Sequence, residues 1–201
     1  MAEDDRCDAL PLAARVYPEP RKATKKSRNK PKHWRRSNKM LVFDTETRTD
    51  PTQSLIFGAY RYLENDACLE EGLFYADDIS EAERAVLQKY VSEHSADVTT
   101  RSSRKLLLLT RAQFIDKVFQ AAYKGRCLLV GFNLPFDLSR IGFDVAPARG
   151  RFAGGFSLGL GSYLDEQGCE RRNQYRPRIG IKHMDSKRAV KGFMAQTGQI
   201  Q

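Results

Sequence analysis

The chain of 201 residues is long enough for one domain with extensions, and its 41% hydrophobic and 29% charged residues are typical of a folded protein. Its uninterrupted apolar runs, such as the four residues Leu106–Leu109, are far shorter than the roughly 20 residues of a membrane-spanning helix, so we expect no membrane partner. The formal net charge of +9 at pH 7 favours a polyanionic partner.

That positive charge is concentrated near the N-terminus, where residues 1–39 are interpreted as a leader. Ten Lys or Arg residues and no acidic residue lie between Arg21 and Lys39, and without these ten, 24 basic residues face 25 acidic ones. The segment 21–39 is too poor in apolar residues to offset its ordering entropy, so we expect a disordered basic arm. Such an arm gains affinity for nucleic-acid phosphates by releasing counterions. A solubilising leader is the alternative.

Three strand-like segments follow the leader. They are MLVFDTE from Met40, then Ser54–Leu63 and Ala67–Ala76, the last two separated by a turn at 64–66. Because the connections are so short, we expect these three strands to pair in an antiparallel trio.

Two helices are predicted from capping boxes, in which a Ser or Thr is followed three residues later by Glu or Gln. The first box is Ser80 with Glu83, and the second is Thr110 with Gln113. The first helix should end at His94, where a histidine suits the C-terminal dipole. The apolar face predicted for this helix consists of Ala82, Ala85, Val86, Leu87, Tyr90 and Val91.

The remainder of the chain is rich in strand patterns. Gly125 should end the second helix, the apolar run Cys127–Phe132 predicts a buried strand, and Pro135 suits the first turn of a short helix. The segments 154–164, 178–185 and 186–193 predict further strands, with a turn at 165–168. We therefore expect one α/β domain over 40–201. Its core, 40–143, should hold a mixed sheet of three antiparallel strands plus a parallel strand with flanking helices, and 144–201 should form a β-rich insertion.

Candidate chemistry begins with Asp44 and Glu46, at the end of the first strand. Side chains alternate between the faces of a strand, so the two carboxylates project from the same face. Two acids so placed repel each other unless a cation lies between them, and hard divalent cations such as Mg²⁺ prefer oxygen ligands. The alternative is that both are ordinary turn-forming acids at a strand end.

A second candidate group, Asn133, Phe136 and Asp137, follows the buried strand. Asp137 lies in the first turn of the short helix, from which it can reach the edge of the sheet. Asn133 can orient backbone or substrate by hydrogen bonding, and Phe136 can pack beneath the site or against a nucleotide base. The alternatives are an aspartate favoured by the helix dipole and an ordinary core aromatic.

The two groups together resemble a known family. Asp44-Thr45-Glu46 after LVF, and Asn133-Leu-Pro-Phe136-Asp137 after LLVGF, are similar to the first and second motifs of the DEDD-type, DnaQ-like 3′–5′ exonucleases. This family includes the proofreading domains of DNA polymerases. The sequence GFNLPFD is especially similar to the second motif of family B polymerase exonucleases. The resemblance covers residues 40–143 and implies a ribonuclease H-like fold.

The resemblance also implies a reaction, two-metal hydrolysis of a phosphodiester at a single-stranded 3′ end, with two Mg²⁺ or Mn²⁺ ions. By this analogy Asp44 contacts both ions, Glu46 holds the ion that activates water, and Asp137 helps to hold the second ion. Thr45 would offer its backbone near the terminal nucleotide.

The sequence departs from the family pattern at the third motif, a Tyr or His followed by a fourth metal-binding Asp. Asp144, Asp165 and Asp185 are the aspartates that follow the second motif, and none has the expected spacing, while His183 is interpreted as a polar residue on a strand. We therefore expect an incomplete domain that is inactive by itself, or else a degenerate member of the family. A non-catalytic nucleic-acid-binding module is the alternative function. A transposase or a ribonuclease H-type endonuclease would share the fold.

The cysteines indicate the compartment. Cys7, Cys68, Cys127 and Cys169 are scattered and form no CxxC pair, which is typical of free thiols in a reducing environment. The N-terminus is acidic and does not resemble a secretory signal, so we expect a cytoplasmic protein.

Overall fold

The computed structural model describes residues 37–99, 105–185 and 188–194. The prediction of a disordered, phosphate-binding arm over 21–39 lies outside the described residues except at 37–39, as does the thiol of Cys7. Within the described ranges, no helix is both long enough and apolar enough to cross a membrane.

The described ranges contain helices α1 (Glu81–Glu93), α2 (Arg111–Val118), which a π-helical segment (Phe119–Lys124) continues, and α3 (Leu134–Ile141). The strands of the first sheet are β1 (Lys39–Thr47), β2 (Leu55–Glu64), β3 (Ala67–Tyr75), β4 (Leu107–Thr110) and β5 (Leu128–Val130). The later strands are β6 (Phe143–Pro147), β7 (Phe156–Gly159), β8 (Ser162–Leu164), β9 (Glu170–Arg172), β10 (Ile179–His183) and β11 (Ala189–Phe193).

The first sheet is mixed, with the strand order β4-β3-β2-β1-β5. The antiparallel trio is confirmed, and β5 lies parallel to β1 as predicted. Strand β4, which is parallel to β3, was not predicted. The β2–β3 hairpin closes through Asn65 and Asp66, both with positive φ (51° and 65°), the backbone of a two-residue turn that suits the twist of paired strands.

The core of this sheet is built around Phe114 of α2. Its ring stacks on Phe74 at 3.8 Å between centroids, and the rings of Phe43 and Tyr60 each lie 5.4 Å away. All four residues are buried. The capping box that begins α2 is present, with the Thr110 hydroxyl accepting from the backbone of the third helical residue. The sequence therefore places the start of α2 so that its first turn delivers Phe114 to the sheet.

The segment after α3 is β-rich, as predicted. Strands β11-β10-β7-β6 form an antiparallel sheet, and β8 and β9 form a separate hairpin whose turn is closed by a hydrogen bond from Gly168 N to Asp165 O (2.9 Å). The buried residues Leu158 and Ile181 of this segment belong to the same apolar cluster as Leu138 of α3. The second sheet therefore shares a core with the first.

Helix α1 differs from its prediction. Its capping box of Ser80 and Glu83 is present and His94 is its C-cap residue, as predicted. The predicted apolar face is wrong, because only Leu87 is buried and Val86 is 67% exposed. The helix lies at the end of the sheet where it contacts β3 and the edge strand β4, so one line of side chains meets the sheet and the rest face solvent.

Candidate acidic site

Asp137 reaches the sheet from the first turn of α3. This helix follows β5 after a short connection and begins at Asn133, whose carbonyl oxygen accepts hydrogen bonds from the amides of Phe136 (2.8 Å) and Asp137 (3.1 Å). Pro135 stands in the first turn, where its missing N–H costs nothing. Asp137 is almost completely buried, with 1% of its surface exposed. A carboxylate so deep in the protein requires partners for its oxygens.

One partner comes from β1. Leu41, Phe43 and Thr45 alternate along the buried face of this strand, so the Thr45 side chain points into the protein. Its hydroxyl donates a hydrogen bond of 2.8 Å to Asp137 Oδ1. This contact joins the two predicted motifs, whose relative position the sequence alone does not determine.

The second carboxylate oxygen of Asp137 has no such partner. Asp137 Oδ2 is buried and accepts no hydrogen bond from the described residues. Burial raises the pKa of Asp137 above its ordinary value, and the nearby Asp44 carboxylate raises it further, while the hydroxyl and backbone N–H of Thr45 oppose the rise. The structure therefore brings Asp44 and Asp137 together as a pair of acids that needs a proton or a cation between its oxygens.

The surroundings of Asp137 Oδ2 leave limited room. A methyl group added at Gly131 would lie 3.2 Å from this oxygen and 3.1 Å from the carbonyl oxygen of Phe43, so the absence of a side chain at Gly131 keeps this space open. The Phe43 carbonyl oxygen and the orphaned Asp137 Oδ2 are hard oxygen donors, and Leu134 Cδ1 lies 3.3 Å from the same added methyl group. These donors fit a divalent cation such as Mg²⁺ or Mn²⁺, which Asp44 and Asp137 would hold.

Glu46 is less closely associated with this pair. It is exposed on the same face of β1 as Asp44, in agreement with the alternation of the strand. Across the ranges that the structure describes, no three His, Cys, Asp or Glu side chains form a group arranged to hold a metal ion. Asp44 is thus close enough to Asp137 to raise its pKa, while the inclusion of Glu46 in a metal site stays a prediction.

Asn133 and Phe136, the predicted substrate contacts, have different surroundings. Asn133 is exposed, and its side chain makes no capping hydrogen bond to α3. Phe136 is half-buried, and the Arg140 guanidinium lies over its ring at 4.8 Å from the centroid. One face of the Phe136 ring is therefore already covered by a side chain of the same helix.

Arg140 also connects α3 to the loop between β1 and β2. Its Nη1 donates to the carbonyl oxygens of Thr52 (3.3 Å) and Gln53 (2.5 Å). Gln53 has a positive φ of 45°, a backbone conformation that needs support from its surroundings. Arg140 thus fixes the loop that directly follows the strand of Asp44.

Three residues that the sequence analysis considered for the third motif, Asp185, His183 and Asp165, have local partners. Asp185 accepts from the backbone of Arg188 at 2.9 Å and pairs with its guanidinium in the β10–β11 turn. His183 lies at the end of β10 with its ring 6.4 Å from that of Phe156. Asp165 closes the β8–β9 turn and accepts from the amide of Cys169 at 2.8 Å. These contacts give each residue a structural role within the second half of the chain.

A separate cleft of ≈ 380 Å³ lies beside the C-terminal end of α3. Arg140, Arg111, Asp77 and Asp78 contribute its charged groups. Arg111 is paired with Asp77 at 2.6 Å, and Arg140 is held by the loop carbonyls, so both guanidinium groups are already engaged. The cleft is therefore not an open anion site.

Comparisons with known proteins do not identify the family of this chain, because neither a protein-family model nor a curated protein sequence matches it. The assignment of its site accordingly depends on the geometry described above.

Sequence reasoning missed three of the contacts that organise the site. The Thr45–Asp137 hydrogen bond joins residues 92 positions apart, and no local pattern indicates it. Arg140 follows Phe136 by four residues on one helix, a spacing that brings side chains together, so their stacking could have been predicted. The hydrogen bonds from Arg140 to the loop carbonyl oxygens depend on the tertiary fold and could not have been predicted.

Proposed function

We propose that the chain carries the acidic pair of a metal-dependent nuclease site that hydrolyses phosphodiesters at the 3′ end of a nucleic acid. The observation that carries this proposal is Asp137 Oδ2, which is buried and without a hydrogen-bond donor among the described residues. It belongs to a side chain whose pKa the nearby Asp44 carboxylate raises. A divalent cation shared by the two carboxylates would satisfy that oxygen and remove the repulsion.

The strand order supports a ribonuclease H-like arrangement. Three antiparallel strands continue into a parallel strand beside β1, in the order β3-β2-β1-β5, and β4 extends this sheet beyond β3. Asp44 lies near the C-terminal end of β1, and Asp137 lies in the helix that follows the adjacent parallel strand. In α/β sheets, ligands bind preferentially at the C-terminal ends of the strands.

The roles of the residues follow from their surroundings. Asp44 and Asp137 would hold the cation, and Thr45 fixes the orientation of Asp137 through its hydroxyl. The exposed Glu46 would face the substrate side of the same strand. When bound, Mg²⁺ or Mn²⁺ supplies the means to activate water and to stabilise the leaving oxygen.

Nucleic acid is the substrate class that best fits the charge of the chain. Ten basic residues and no acidic residue lie in 21–39, at the N-terminal side of the strand that carries Asp44. These basic residues would attract the phosphates of a nucleic acid to the protein. Single-stranded DNA and single-stranded RNA are both compatible with this non-specific attraction.

The test is digestion of 5′-labelled single-stranded DNA and RNA by the protein with Mg²⁺ or Mn²⁺. Cation-dependent shortening of the strands from their 3′ ends would support the proposal. Asp44→Asn and Asp137→Asn should each reduce the rate about 10²-fold or more, since metal stabilisation contributes several kcal/mol. Asp66→Asn is the matched control, because Asp66 lies in the β2–β3 turn at the opposite end of β1.

Cation-dependent shortening that persists in both Asp44→Asn and Asp137→Asn would contradict the proposal. Binding of single strands without any hydrolysis would favour the alternative, a non-catalytic nucleic-acid-binding module. Digestion by the 201-residue chain would overturn the expectation, drawn from the unmatched third motif, that this chain is inactive by itself.

A further inference from the structure

We propose that Phe132 is the side chain on which the base of the bound 3′-terminal nucleotide stacks. This inference rests on the proposed nuclease function and names a substrate contact that the sequence motifs do not indicate. The observation behind it is the exposure of the ring. Phe132 is 103% exposed, more than any other large hydrophobic side chain among the described residues.

The position of Phe132 connects it to the acidic pair. It directly follows Gly131, the residue whose Cα faces Asp137 Oδ2. Neighbouring Cα atoms are about 3.8 Å apart, so the ring begins one residue away from the candidate cation site. It also directly precedes Asn133, the exposed polar residue at the start of α3.

The backbone that carries Phe132 is held on both sides. Before it, β5 pairs with β1 through residues 128–130. After it, the carbonyl oxygen of Asn133 accepts two amides of the first turn of α3. Because the backbone at Phe132 is fixed on both sides, little backbone freedom is lost when the ring binds a ligand, which favours affinity.

Phe136 provides a contrast within the same segment. Its ring is half-buried, and the Arg140 guanidinium covers one face. The two aromatic residues that flank Asn133 therefore differ, since one is packed into the protein and the other projects into solvent. An exposed aromatic face is a surface on which proteins bind bases without sequence preference, because every base has a π-face.

The experiment measures stacking without hydrolysis. A single-stranded DNA oligonucleotide with the fluorescent base 2-aminopurine at its 3′ end is titrated with the 201-residue protein in EDTA, and the same oligonucleotide labelled at its 5′ end is the probe control. We expect quenching of the 3′ label. Phe132→Ala should weaken binding about 5- to 150-fold and relieve the quenching, and Phe132→Trp should restore both.

Tyr175→Ala is the matched control variant. Tyr175 is also an exposed aromatic, at 78%, but it lies in the loop between β9 and β10, next to the Arg176 that pairs with Asp116 of α2. This variant should behave as the unmodified protein does. Because Phe132 makes no buried contact, Phe132→Ala should unfold at the same temperature as the unmodified protein.

The outcomes separate this inference from the proposed function. Cation-dependent hydrolysis together with equal binding and quenching by Phe132→Ala would overturn the stacking role and leave the nuclease function intact. Phe132-dependent quenching without hydrolysis would support the stacking role and contradict the nuclease function. Equal quenching of the 3′ and 5′ labels would overturn the assignment of the terminal base.

Discussion

The Thr45 hydroxyl donates a 2.8 Å hydrogen bond to Asp137 Oδ1, and this contact joins β1 to the first turn of α3 across 92 positions of the sequence. Both residues are buried, so the bond forms in a medium where an unsatisfied partner is costly. It leaves Asp137 Oδ2 without a hydrogen-bond partner among the described residues. Thr45, which stands between two acids in the sequence, thus determines how the third acid is oriented.

Replacement of Thr45 by Val should destabilise the fold. Val preserves the shape of the side chain but removes the donor, which leaves both oxygens of Asp137 without a side-chain hydrogen bond. We expect the free energy of unfolding in denaturant to fall by about 1–3 kcal/mol. Thr45→Ser keeps the hydroxyl and should lose less. Equal stability of the Val and Ser variants would show that the hydrogen bond contributes nothing.

The raised pKa of Asp137 predicts a pH-dependent stability in EDTA. The ordinary value is 3.8, and burial raises the pKa in the folded chain. Between pH 3.8 and the raised pKa, the folded state therefore holds a proton that the unfolded state has lost. The contribution of Asp137 to stability falls as the pH rises from 3.8 through its folded-state pKa. The stability of Asp137→Asn relative to the unmodified protein should increase over this range. A difference that does not change with pH would contradict the assignment.

The lowered pKa of Glu83 predicts the opposite dependence of stability on pH. Hydrogen bonds from Ser80 lower the pKa of Glu83, and the Arg48 guanidinium, 3.2 Å from its carboxylate, lowers it further. The pKa falls from 4.5 to about 2. Its contribution to stability is therefore present above pH 4.5 and is lost as the pH falls toward 2. The stability difference between the unmodified protein and Glu83→Gln should shrink over that interval. A difference that is as large near pH 2 as it is above pH 4.5 would show that these contacts do not favour the charged form of Glu83.

Arg140 should restrain the loop between β1 and β2. Arg140→Ala removes the donor to the carbonyl oxygens of Thr52 and Gln53, and we expect the loop amides of Arg48 and Gln53 to exchange with solvent about 10-fold faster or more. Arg140→Lys keeps the charge but lacks the planar guanidinium, so it should restore little of the protection. Unchanged exchange in Arg140→Ala would show that the loop holds its conformation independently.

The features that the sequence predicted well are those with a local cause. Ser80 and Thr110 begin helices because their hydroxyls accept backbone N–H groups three residues onward, and both capping boxes are present. Glu64 and Ala67 pair across the predicted turn because Asn and Asp tolerate positive φ. The neighbouring segments that form the antiparallel trio also need only short connections.

The features that the sequence did not predict depend on the tertiary fold. Leu106–Leu109 is too short and too uniform to show a periodicity, and β4 becomes a strand because the edge of β3 offers it hydrogen bonds. Val86 fits the apolar face of a helix, but α1 lies at the end of the sheet, where little surface is available to cover it. Phe132 belongs to an apolar run predicted to be buried, yet it lies beyond the last paired residue of β5 and is fully exposed.

The most direct test of the central claim is the binding of a divalent cation to the pair of Asp44 and Asp137. Isothermal titration calorimetry with Mn²⁺ should be performed on the 201-residue protein, on Asp44→Asn, on Asp137→Asn and on the control Asp66→Asn. The account predicts binding by the unmodified protein and the control, and a loss of affinity of at least about 10-fold in each of the other two variants, the size of effect that even residues supporting a metal ligand produce. Binding by Asp137→Asn as tight as that of the unmodified protein, or no binding by the unmodified protein, would contradict the account.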